Sequence, residues 1–127
     1  MIILNRAFWG LVLMIKSIPG LNNEIRFGEE KFYCTILGES PSKGARSPDL
    51  WNSCFKHFNI PSVFYPFDVS AEDLGPMVEY LKSDHKFVGG AVTAPHKESI
   101  ISHLDKIEEE VSHIGAVNLI YKKNGAL

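Results

Sequence analysis

The sequence predicts an α/β domain, a mostly parallel sheet with helices on both faces in three layers. Short apolar runs at 32–37, 62–68 and 87–93 are bounded by Gly, Pro, Ser and Asp, as strands are. Between them lie segments whose apolar residues recur every three or four positions, the period of a helix. Strands that alternate with helices pair in parallel, and the ligand crevice of such sheets opens at the carboxyl ends of the strands.

At 127 residues and 45% hydrophobic composition, the chain is about one domain long. A net charge of −2, with mixed signs and no Lys/Arg cluster, argues against a nucleic-acid partner. The apolar stretch 7–15, between Arg6 and Lys16, has about half of the ~20 residues that a membrane span needs, so no membrane partner is expected. Cys34 and Cys54 fall at apolar positions without Cys-x-x-Cys spacing and read as reduced thiols of a cytoplasmic protein. The five histidines form no ligand cluster, and no metal is expected.

Residues 1–29 read as an N-terminal extension or linker of uncertain structure, with Ile18-Pro19-Gly20-Leu21-Asn22-Asn23 a turn-rich connection. Left without a core, the apolar run in it favours self-association, so a homo-oligomer is among the expected partners. The domain proper occupies 30–127. Its first strand, 32–37, is closed by Gly38. The loop from Glu39 to Pro48 is rich in Pro, Ser and Gly, and leads into a helix with Ser47 suited to the cap and Pro48 to the first turn. Leu50, Trp51, Cys54, Phe55 and Phe58 give that helix its apolar face.

Pro66 assigns the second strand to an edge or a bulge. Ser70-Ala71-Glu72-Asp73 resembles a capping box ahead of a helix carrying Leu74, Met77, Val78 and Leu81. After the 87–93 strand, Ile100, Leu104, Ile107, Val111 and Ile114 predict an amphipathic helix, broken near Asp105 and ended by Gly115, with Glu108 to Glu110 on its solvated side. Residues 117–122 form a last strand, and Lys123-Asn124-Gly125 a hairpin-type turn.

The candidate functional residues gather where these elements meet. The 87–93 strand runs into Thr93-x-Pro95 and delivers Lys97, which reads either as a solvated first-turn lysine or as an acid/base or anchoring group in a cleft. Ser47 serves equally as a helix cap or as an anion contact at a helix N-terminus. Asn118, an amide inside an apolar strand, needs partners: a neighbouring loop or a ligand. The loop motifs of dinucleotide and mononucleotide sites are absent.

Four stretches resemble the N-terminal, substrate-binding domain of the shikimate dehydrogenase family: Gly38…Ser47-Pro48…Asn52…Phe55, Phe64-Tyr65…Val69, Phe87-x-Gly89-x-x-Val92-Thr93-x-Pro95-x-Lys97, and Gly115-Ala116-Val117-Asn118…Gly125-Ala126-Leu127. The last two are the specific ones. The resemblance implies binding of shikimate or 3-dehydroshikimate, with Ser47 on the carboxylate, Thr93, Lys97 and Asn118 on the ring hydroxyls, and Lys97 as the catalytic lysine. It also implies NADP as the cofactor of a following Rossmann domain, in cis or in trans, with none bound by this chain alone. Ala45 stands where the family usually has serine, Ala91 where it has asparagine and Trp51 where histidine is common. The family's aspartate partner of the lysine lies in a Gly-x-Asn-Thr-Asp segment beyond this resemblance. The expectation is therefore a substrate-binding fragment of an NADP-dependent dehydrogenase of aromatic amino-acid biosynthesis, inactive by itself. The alternative is a catalytically dead shikimate- or quinate-binding module.

Overall fold

The computed structural model describes residues 2–5 and 13–127. β1 (Ile2–Asn5) and β2 (Leu13–Lys16) pair antiparallel, so the end of the apolar 7–15 run is strand, while residues 7–12 lie outside the described residues. The main sheet holds β3 (Phe32–Gly38), β4 (Ser62–Asp68), β5 (Phe87–Val92) and β6 (Leu119–Tyr121), in the order β4-β3-β5-β6. β3 runs parallel to both β4 and β5, and β6 antiparallel to β5, so the sheet is mostly parallel as its alternating pattern predicts.

Successive side chains on a strand face opposite ways, and here each face has its own helix. Tyr33, Leu37, Phe67, Phe87 and Val92 join the main core with Leu74, Met77, Val78 and Leu81 of α2 (Leu74–Ser83) and with Ile100. Phe64 points to the other side, where α1 (Ser47–His57) lies over it. Trp51 of α1 stacks on Phe64 with ring centroids 6.3 Å apart, and the Asn52 amide brackets the Phe64 backbone, donating to its carbonyl at 3.0 Å and accepting from its N–H at 2.7 Å. Helix, sheet and helix make the three layers. β3 and β5 approach closely at Gly90, where a Cβ would collide with the Thr35 carbonyl.

Pro66 does lie on an edge strand, β4, and the preceding chain covers that edge. Leu21 bridges antiparallel to Val69, and Asn22 N–H donates to the Asp68 carbonyl at 2.8 Å. The Asn23 amide donates to the Pro66 carbonyl at 2.9 Å and accepts from Asp68 N–H at 2.8 Å. Ile18 and Ile25 are thereby buried in the main core. The stretch that the sequence sets apart as an extension thus contributes to the domain from Ile18 onward, because an edge strand leaves backbone groups that need partners.

Local departures from the sequence reading have local causes. Arg46 occupies the cap position of α1 and Ser47 is its first residue, with no side-chain capping bond. Asp73 likewise precedes α2 without a capping bond, while Ser70 donates to the Asp73 carboxylate at 2.8 Å within the turn ahead. The segment after Pro95 forms α3 (His96–Ser99), a 3-10 turn (Ile100–His103) and, after a break, α4 (Glu109–Ile114), ended by Gly115 at φ 75°. The break falls at Leu104 and Asp105, where Leu104 turns extended and Asp105 takes up Leu127: its N–H donates to the Leu127 carbonyl at 2.7 Å and its carboxylate accepts from Leu127 N–H at 3.0 Å. β6 is shorter than the 117–122 run, and the turn that follows it is closed by a Lys123–Ala126 bridge.

Candidate functional site

The strand register sets the site. Gly38 pairs with Asp68 and Leu37 with Val92, so β3, β4 and β5 finish level with one another. From that edge the chain leaves β3 through loop 39–46 into Ser47, and leaves β5 through Thr93 into α3 with Lys97. Antiparallel β6 starts at the edge where β5 ends, which brings Asn118 to the same place: Val92 N–H donates to the Asn118 carbonyl at 2.8 Å. All four sequence-nominated residues therefore lie at the carboxyl end of the parallel strands.

Two of the four touch. Lys97 Nζ donates to Asn118 Oδ1 at 2.7 Å, and the Lys97 carbonyl accepts from Val117 N–H at 2.8 Å. The Asn118 side chain thus takes Lys97 as its partner, where the sequence left open a neighbouring loop or a ligand. Thr93 N–H donates to the Leu37 carbonyl at 2.8 Å, and the Thr93 carbonyl accepts from His96 N–H at 3.0 Å. Ser47, half-buried at the head of α1, has no side-chain bond to the other three.

Among the described residues Lys97 forms no salt bridge. An ammonium carries three donors, and Asn118 takes one, leaving two for a ligand; the Asn118 amide N–H groups and the Thr93 hydroxyl add further donors and an acceptor. Such a set suits a polyhydroxylated, anionic molecule. The groups with raised pKa lie elsewhere. Burial, then Asp84, pushes the Tyr33 phenol up at the start of β3, where its OH donates to Asp84 at 2.9 Å. Burial and Glu30 do the same for Tyr65, and burial for the Cys34 thiol.

Three residues essential to this geometry escape sequence reasoning. A Cβ on Gly38 would collide with the Thr93 methyl, so glycine there is what lets Thr93 sit at the sheet edge. Asp68 accepts from Ser42 N–H at 2.8 Å and from the Ser42 hydroxyl, fixing loop 39–46. Fully buried His96 places Nε2 2.6 Å from the Val69 carbonyl. The sequence shows these three as a strand-closing glycine that opens the first of the four resembling stretches, a strand-end aspartate and a histidine outside any metal motif, with no positioning role for any of them.

Cavities of about 510 and 380 Å³ flank this edge without including it: one lies between loop 39–46 and β4, the other between residues 104–111 and 117–127. Among the described residues no His, Cys, Asp and Glu group could hold a metal. A dinucleotide does not fit the β3–α1 connection, since eight residues with a single glycine intervene and Pro48, which has no N–H, occupies the first turn of the helix.

A family profile described as the shikimate dehydrogenase substrate binding domain matches residues 37–120. The shikimate dehydrogenase (NADP(+)) of Alkaliphilus oremlandii (strain OhILAs) is 39% identical over 92 residues, which cover 72% of this chain and 32% of that protein. A crystal structure of shikimate dehydrogenase in complex with NADP+ superposes with a TM-score of 0.71 at 32% identity, covering 76% of this chain and 33% of its own. The Thermus thermophilus shikimate 5-dehydrogenase in complex with shikimate gives a TM-score of 0.68 at 25% identity, covering 75% and 36% respectively. The chain thus spans about a third of the length of the relatives it matches. With the level strand ends and the Lys97–Asn118 contact in place, this chain belongs to the shikimate dehydrogenase family, in which it corresponds to the substrate-binding domain.

Proposed function

We propose that this chain binds shikimate and 3-dehydroshikimate at the carboxyl-end crevice and forms the substrate half of an NADP-dependent dehydrogenase. The observation that carries this reading is the 2.7 Å contact between Lys97 Nζ and Asn118 Oδ1, at the strand edge that also bears Thr93. Lys97 and Asn118 hold ring hydroxyls, Thr93 adds a third polar contact, and Ser47 receives the carboxylate at the head of α1. Lys97, the catalytic residue, then assists proton transfer at the hydroxyl that becomes the ketone. Work of this kind typically contributes about 10²–10⁴-fold.

NADP, when bound by a cofactor domain in cis or in trans, supplies the hydride acceptor. The chain alone is expected to bind its ligand without turnover. The free thiols of Cys34 and Cys54 are in keeping with a cytoplasmic site of action. Ala45 in loop 39–46 and Ala91 near the end of β5 favour a second reading, a binding module without catalysis, because each stands where the family usually carries a polar side chain.

Calorimetric titration with shikimate tests binding, and joining the chain to the cofactor domain of a relative tests catalysis. Shikimate binding together with NADP-dependent oxidation, lost about 10²–10⁴-fold in Lys97→Ala with affinity changed far less, is the expected result. Binding without turnover in the joined protein selects the second reading, and full activity in Lys97→Ala removes the lysine from the mechanism.

A further inference from the structure

The two segments that carry the crevice are fastened to one dipeptide at the end of β4. Asp68, only 6% exposed, receives the N–H of Ser42 at 2.8 Å on one carboxylate oxygen and the Ser42 hydroxyl on the other. Val69, fully buried, gives its carbonyl to His96 Nε2 at 2.6 Å and its N–H to the Gly38 carbonyl at 2.8 Å. Ser42 lies in the loop that delivers Ser47, and His96 immediately precedes Lys97. Loop 39–46 and the β5–α3 turn thus share an anchor without having to contact each other.

The chemistry of His96 points the same way. A carbonyl oxygen only accepts, so the ring donates through Nε2, and the buried Nδ1 has no hydrogen-bond partner among the described residues. An apolar side chain of similar size would fill this place without leaving an orphaned nitrogen. What the imidazole adds is the bond to Val69. Asp68 is as specific: both of its oxygens are spent on one residue of the opposite loop, at a strand end where a carboxylate is nearly out of water.

We propose that Asp68 and His96 are positioning residues that, through the common Asp68-Val69 anchor, hold Ser47 and Lys97 at a fixed separation before any ligand arrives. This rests on the reading of the crevice as the shikimate site. A ligand with a carboxylate at one end and ring hydroxyls at the other must meet both arms at once, and arms that are already set need not be ordered on binding.

The test uses the isotope-labelled full chain, first without ligand and then with shikimate. His96→Ala is expected to move the Asn118 side-chain amide signal, which reports on Lys97. His96→Gln, whose amide can still donate to the Val69 carbonyl, leaves that signal in place. Ser42→Ala, a change at an exposed side chain, moves the Ser47 backbone amide. Shikimate affinity falls about tenfold in His96→Ala and Ser42→Ala and returns to within about threefold in His96→Gln.

A folded His96→Ala or Ser42→Ala with its reporter and its affinity at wild-type values overturns the proposal. Should His96→Ala not fold, His96→Gln decides: a folded protein with the Asn118 signal in place upholds the anchor, and an unfolded or displaced one overturns it. If the wild-type chain binds no shikimate, the functional reading fails while the ligand-free reporters still decide the anchor.

Discussion

Gly38 leaves no room for a side chain, since the Thr93 methyl occupies the space that its Cβ would take. Gly38→Ala must therefore displace Thr93 or spread β3 from β5. We expect it to weaken shikimate binding by about tenfold or more while the secondary structure survives, as read by titration calorimetry beside circular dichroism. Retained affinity would mean that Thr93 does not contact the ligand. The motif Thr93-x-Pro95-x-Lys97 was legible in the sequence because Pro and a strand-end position constrain it locally. Gly38, Asp68 and His96 were not, since each acts on a residue 26 to 55 positions away: Gly38 on Thr93, Asp68 on Ser42 and His96 on Val69. Such pairings follow from strand register, which no single stretch of sequence reveals.

At the scale of elements, periodicity located the three parallel strands and α1 to within a residue or two, and α2 by its apolar face; α2 buries that face, whereas on α1 Leu50, Trp51, Cys54 and Phe58 are exposed and Pro48 is the buried residue. Periodicity did less well where partners are distant. The 96–114 segment has a helical pattern of apolar residues, yet Asp105 breaks it by bonding Leu127 through both backbone and carboxylate. That Leu127 N–H and Lys82 hold the Asp105 carboxyl below its ordinary range. A lowered folded pKa gives stability that is present above the unfolded value and lost as pH falls through the folded one. Acidification below the ordinary carboxylate range should therefore lower the protection of the Leu127 amide, its exchange taken relative to the intrinsic rate at the same pH, before the β3–β5 core opens, and unchanged protection there would argue against the link. Asn23 is the matching case on the β4 edge, with two bonds to the backbone of that strand. Asn23→Ala should cost about 1–3 kcal/mol in urea denaturation, from two bonds of about 0.5–1.5 kcal/mol each; a loss near zero would show that these two bonds do not hold the segment on the β4 edge.

For the molecule as a whole, Tyr33 and Tyr65 have pKa values raised by burial and a neighbouring carboxylate, and exposed Tyr121 has one raised by Glu108. A raised folded pKa means that stability is intact below the ordinary phenol value and declines as pH rises above it. Ionisation of Tyr33 and Tyr65 should thus appear only together with unfolding, with tyrosinate absorbance following the loss of the circular-dichroism signal. Full tyrosine ionisation with a native spectrum would place both rings nearer to solvent. The two ends of the sheet differ in kind: the phenol of Tyr33 sits at the starts of the strands, and Thr93, Lys97 and Asn118 at their ends.

Whether this strand-end edge is a shikimate site is tested most directly by an amide-detected titration of the isotope-labelled chain with shikimate. The predicted result is a set of saturable shifts concentrated at Ser47, Thr93, Lys97 and the Asn118 side chain, all abolished in the Asn118→Ala, Lys97→Ala double variant. Shifts centred on either flanking cavity, or none at millimolar shikimate, would contradict it.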